Sequence, residues 1–166
     1  MFTAYELFGF MPPALANEII EQTFVTNKEL YKASLAAVAD ARHVRPVYLE
    51  RKPRVERHKD MIDMLSRPRM NVAAAGLIRG WLMKNQSAML SDFLNALGIE
   101  NKDGTVDNLP EKVDDDKLKA AVNVILEKYP KEKVAIYLHA FDEMNEVRWE
   151  NLKTVLENEP RLQLVG

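Results

Sequence analysis

The sequence predicts an all-α fold: a single-domain bundle of six to seven helices around a central apolar helix at about 69–97, with a short polar turn or hairpin near 100–110. Three observations predict it. The stretch 70–99 holds only three charged residues, Arg79, Lys84 and Asp92, and its apolar positions recur at helical rather than alternating spacing. Met70, Ala74, Leu77 and Trp81 form one stripe of it, and Ala73, Gly76 and Gly80 a second stripe of small residues. A helix that is apolar or small on most sides is one that others lie against. Finally, the flanking segments read as amphipathic helices joined by short connections, the pattern of a bundle.

Taken in order, residues 1–11 form an aromatic arm. Phe2, Tyr5, Phe8 and Phe10 are too many rings to leave in water, so the arm is expected to lie across the bundle or to pack on a second subunit. Pro12 and Pro13 suit a helix start. With no Gly or Pro from Ala14 to Ala41, one long helix is expected, with Ile20, Phe24, Tyr31, Leu35 and Val38 inward. Thr26 and Glu29 fit a capping box that could restart it. Asn27 reads as a polar residue at the seam edge or, more sharply, as a register-setting residue.

Pro46 and Pro53 mark 45–53 as a connection. A short helix then follows over 54–65, with Val55, Met61, Ile62 and Leu65 inward. The polar run Asn85-Gln86-Ser87 reads as a joint, and Leu97-Gly98-Ile99 as a helix stop. Asp114-Asp115-Asp116 supplies an N-cap and an acidic first turn. Leu118, Val122, Ile125 and Tyr129 make the cleanest stripe in the chain. Pro130 opens a last helical region, 131–158, with Val134, Leu138 and Phe141 inward, a break at about 145–148, and Trp149, Leu152 and Leu156 resuming the stripe. The tail 160–166 is expected to pack through Leu162 and Leu164.

Composition bounds the function. The 166 residues are 47% hydrophobic and 29% charged, which is ordinary for a folded chain. The absence of Cys removes thiol nucleophiles, disulfides and Cys-based metal sites. With neither a signal peptide nor a membrane span legible, a cytoplasmic location is the expectation. The net charge of −2 hides a basic stretch at 42–69, with nine Arg or Lys against four acids, and an acidic 100–166, with ten against fifteen. Arg51, Lys52, Arg54, Arg57 and Lys59, with Tyr48 for stacking, could face phosphates. A solvated helix face that pairs with the acidic C-terminal third is the reading preferred.

Catalytic signatures do not emerge. His139, Asp142, Glu143 and Glu146 fall at i, i+3, i+4 and i+7, a spacing that could hold a divalent ion, with His43 or His58 from other helices. A solvated acidic face is the reading preferred. Around Gly104 the calcium-loop pattern lacks its first and twelfth ligands. Gly76-x-x-x-Gly80 permits close helix approach. Together these features lead us to expect a non-enzymatic protein–protein interaction module, a homodimer with an unidentified protein partner, contacting others through Phe2, Tyr5, Phe8, Phe10, Gly76 and Gly80, with no cofactor and no membrane. A nucleic-acid or other polyanion binder is the alternative, and a metal-dependent helical-bundle enzyme the second alternative.

Overall fold

The computed structural model describes residues 2–164. It is all-α: the described residues form ten α-helices and two 3₁₀ turns. None of these helices is long and apolar enough to cross a membrane. Two compact units emerge, residues 2–84 and residues 85 onward. The apolar stretch expected to act as one central element supplies a helix to each of them.

The first unit holds α1 (Ala4–Phe10), α2 (Pro13–Thr26), α3 (Lys28–Ala41), α4 (Pro46–Glu50), α5 (Arg54–Leu65), a 3₁₀ turn (Pro68–Met70) and α6 (Asn71–Asn85). The N-terminal arm is itself a helix, begun by Glu6, whose carboxylate accepts from the Thr3 N–H at 3.1 Å and the Thr3 hydroxyl at 2.7 Å. These two bonds hold the Glu6 carboxyl below its usual range. Leu7 and Phe8 enter the core, while Phe10 stays exposed and packs its ring on Phe2, 5.2 Å away.

The long helix expected over 14–41 is two helices. Asn27 leaves helical geometry (φ −145°, ψ 73°). Its N–H closes α2 on the Thr23 carbonyl, and its side chain accepts from Leu30 N at 3.3 Å to open α3. One residue thus caps both helices, which replaces both the capping box at Thr26 and the register-setting role. The connection 45–53 also contains a helical turn, α4, started by Pro46 at its first position. These additions raise the helix count above the six or seven expected.

On α5 the inward face differs from the one expected. Val55 is 83% exposed, and the core side is His58, Met61, Met64 and Leu65. α6 follows the predicted stripe: Met70, Ala74, Leu77 and Trp81 are all buried. Trp81 brings a polar atom inside with it, and its Nε1–H donates to Gln22 Oε1 at 2.7 Å.

The second unit holds α7 (Ser87–Ala96), α8 (Asp115–Lys128), α9 (Lys131–Met144), α10 (Glu150–Asn158) and a 3₁₀ turn (Pro160–Leu162). α7 ends as predicted: Gly98 sits at φ 74°, and Ile99 N–H reaches back to the Leu94 carbonyl at 2.9 Å. The polar turn is closed by a single antiparallel bridge, Lys102 to Thr105. Gly104 (φ 88°) lies so close to α7 that a Cβ there would stand 2.5 Å from Leu90 Cβ, so both its conformation and its neighbour demand glycine. Asp114 caps α8 by accepting from Lys117 N. Asp92 of α7 binds Lys128 Nζ at 2.8 Å and the Tyr129 hydroxyl at 2.5 Å, which together depress its carboxyl.

α9 is the most enclosed helix, buried continuously from Val134 to Asp142. The break expected near 145–148 is present, and Trp149, Leu152, Leu156 and Leu162 are buried beyond it. Leu164 is half-buried, and the last two residues lie outside the described ones.

Three substitutions test this account by chemical denaturation. Asn27→Ala removes a cap and should cost about 1 kcal/mol. Gly76→Ala should stabilise by up to about 1 kcal/mol, because a Cβ at Gly76 meets nothing within 4 Å. Gly80→Ala should gain less, since its Cβ must first displace the Leu30 side chain.

Candidate functional site

The first unit carries the chemically richest cluster. His58 projects from α5 into the seam between α2 and α3 and is 3% exposed. Its Nε2 lies 2.8 Å from the Tyr31 hydroxyl and its Nδ1 lies 3.3 Å from Glu21 Oε2. With the carboxylate on that side, the neutral ring is assigned its proton on Nδ1, and Nε2 accepts from Tyr31. Burial, with the Arg57 and Arg54 guanidiniums next, pushes His58 down to about 4. Burial likewise raises the Tyr31 phenol. Phe24 closes the cluster, its ring centroid 4.9 Å from Tyr31 and 5.9 Å from His58.

Glu21, His58 and Tyr31 thus form a carboxylate–imidazole–hydroxyl line across three helices. Glu21 and His58 border a cleft of about 440 Å³ with Ala14, Asn17, Glu18, Arg54 and Val55. The hydroxyl at the other end is buried and is not part of that cleft's wall. The line therefore joins α2, α3 and α5 from inside. A sequence signal for it existed: His58, Met61 and Leu65 stand at i, i+3 and i+7, one helix face.

The predicted polyanion residues are divided by the fold. Arg54 pairs with Glu21 and lies 4.6 Å over the Phe24 ring. Arg57 donates to the Glu50 carbonyl at 3.2 Å and covers Phe24 and Tyr31. Lys52 and Arg42 converge on Asp60 at 2.6 and 3.0 Å, which depresses that carboxyl. Arg51 and Lys59 are exposed. The partners of Arg42, Lys52, Arg54 and Arg57 are thus acids and a carbonyl of the same unit.

The α9 residues do not form the expected solvated face. His139 and Asp142 are buried, Glu143 is half-buried, and Glu146 lies beyond the helix end at Met144. Among the described residues no three His, Asp or Glu side chains gather as a metal would require.

The interface candidates sort just as clearly. Phe8 belongs to the core and Gly80 abuts Leu30. Phe2 and Tyr5 are half-buried, the Tyr5 N–H donating to Asn71 Oδ1 at 3.2 Å. Gly76 faces open space in a groove of about 400 Å³ between α3 and α6. Leu30, Ala33, Ala37, Met70, Val72 and Ala73 line its apolar part, with Asp40 and Arg69 at one end, and Val72 is 86% exposed.

The His58 cluster makes a signed prediction. Its depressed proton affinity contributes stability in full above about pH 6.5, the unfolded value, and that contribution is lost as pH falls toward about 4. The loss amounts to at most about 3 kcal/mol. Denaturant melts between these pH values should show the decline, with a shallower slope in His58→Gln. Tyr31→Phe should cost about 1–3 kcal/mol by leaving Nε2 without its donor. Compared with protein-family models, curated proteins and solved structures, the chain matches none of them.

Proposed function

We propose that the protein acts through protein–protein contact as a homodimer, with the groove between α3 and α6 at the centre of the interface. The observation that carries this reading is the half-used small-residue stripe of α6. Gly80 is filled by Leu30 of the same unit, whereas one turn earlier Gly76 opens onto the groove. Ala33 and Ala37 on α3 and Ala73 on α6 keep the walls low, so an apolar helix could approach the backbone closely. Val72 beside it exposes a β-branched side chain that a partner would bury. A stable interface covers about 800 Å² on each partner, so the groove would be its core and the surrounding polar residues its rim.

The polyanion reading has less support. Three of its five cations are occupied within the unit, and an occupied guanidinium must first give up its partner to meet a phosphate.

Sedimentation velocity over a range of protein concentrations tests the proposal. Wild type should show a reversible dimer, and Gly76→Leu should sediment as a monomer while keeping its thermal stability, because the added side chain enters open space within the protomer. A wild-type monomer throughout, or a Gly76→Leu dimer of undiminished affinity, would overturn it.

A further inference from the structure

Within the second unit, α9 buries two titratable side chains one helical turn apart, and the chain's C-terminal segment packs against that helix. Asp142 is 1% exposed, and neither of its carboxylate oxygens has a hydrogen-bond partner. His139 is 5% exposed, and its Nε2 stands 3.0 Å from the carbonyl of Leu162, in the last 3₁₀ turn. The Phe141 ring of α9 and the Trp149 ring at the start of the segment lie 5.0 Å apart, tilted by 43°. The segment is anchored elsewhere by Trp149 Nε1–H to the Pro110 carbonyl, by the Asn151 amide to the Val113 carbonyl and the Asp115 carboxylate, each at 2.8 Å, and by Arg161 to Asn123 Oδ1 on α8 at 3.2 Å.

We propose that residues 149–162 form a proton-governed cap on α9, closure being opposed by Asp142 when ionised and by His139 when protonated. Closure takes a carboxylate out of water and gives it no donor, which disfavours the ionised form. The charges that face it are Lys153 on α10 and Arg148 in the connection, which draw it toward ionisation, and Glu150 at the start of α10, which resists. Burial dominates and holds Asp142 above the ordinary value of 3.8. The same burial holds His139 below its ordinary 6.5, against the opposing pull of the Leu162 carbonyl.

The two groups therefore respond to acid with opposite sign. The closed cap binds the Asp142 proton more tightly than the open one, so through this residue closure strengthens as pH falls. It binds the His139 proton more weakly, so through this residue closure weakens below about 6.5. In wild type the two responses oppose each other, and removing either one should expose the other. Opening would free the apolar side chains Leu152, Leu156 and Leu162.

Amide hydrogen exchange of 149–162 on the full chain, corrected for the intrinsic rate and followed from mildly alkaline to mildly acid pH, reads the cap directly. α8 serves as the internal reference for global folding. Asp142→Asn should lower the opening constant at alkaline pH, where the wild-type carboxylate opposes closure, and should open increasingly as pH falls below about 6.5. His139→Gln should do the reverse, closing as pH falls. Equal opening of wild type and Asp142→Asn at alkaline pH, or a flat pH response in both variants, would overturn the proposal. A variant that loses protection equally in α8 and in 149–162 would also overturn it, since the cap would then have no opening of its own.

Discussion

A helix leaves four N–H groups bare at its start and four carbonyls at its end, and this chain cuts its helical content into many short pieces. The need to satisfy those ends decides where the pieces lie. Asn27 serves two helices at once, Asp114 and Glu6 bring carboxylates to positive helix ends, and Gly98 turns the backbone so that Ile99 can return to Leu94. Prolines 13, 46, 68 and 160 each start a helical segment where a missing N–H is harmless. Each core is therefore assembled from short helices whose apolar faces meet, rather than from one long central rod.

Polar groups inside these cores follow two contrasting solutions. In the first unit, His58 is buried with both ring nitrogens addressed, by Tyr31 on one side and Glu21 on the other. Such a network fixes the mutual orientation of three helices, because removing one member strands the next. In the second unit, Asp142 is buried with no donor at all. A carboxylate in that position favours its neutral form and weakens whatever covers it. One unit is stapled by its interior polar groups, and the other is strained by them.

Charge is settled locally. Asp60 gathers Lys52 and Arg42, Glu21 takes Arg54, Asp92 takes Lys128, and Glu159 takes Arg161. These are half-exposed or exposed pairs, each weakened by solvent screening. Within the basic stretch, Arg42, Lys52 and Arg54 are held by acids of the same unit, which shifts the functional reading toward the mainly apolar groove between α3 and α6.

The sequence by itself determined the helical class and most inward faces, because an apolar side chain repeated at 3.6-residue spacing has only one way to leave water. The stripes of α6, α8 and α10, the joint at Asn85-Gln86 and the stop at Gly98 were all legible on that ground. Only the tertiary structure decided which polar residues would be drawn inside. His58 displaced Val55 from the seam of α5 because Tyr31, Phe24 and Glu21, distant in sequence, formed a pocket suited to an imidazole. Asp142 was drawn inside because α9, buried continuously from Val134 to Asp142, leaves an acid there no route to solvent. Asn27 broke a helix that propensity alone would have continued, since its amide could cap two ends at once. Gly76 and Gly80 are equivalent in the sequence, and only the position of Leu30 made one a packing contact and left the other open.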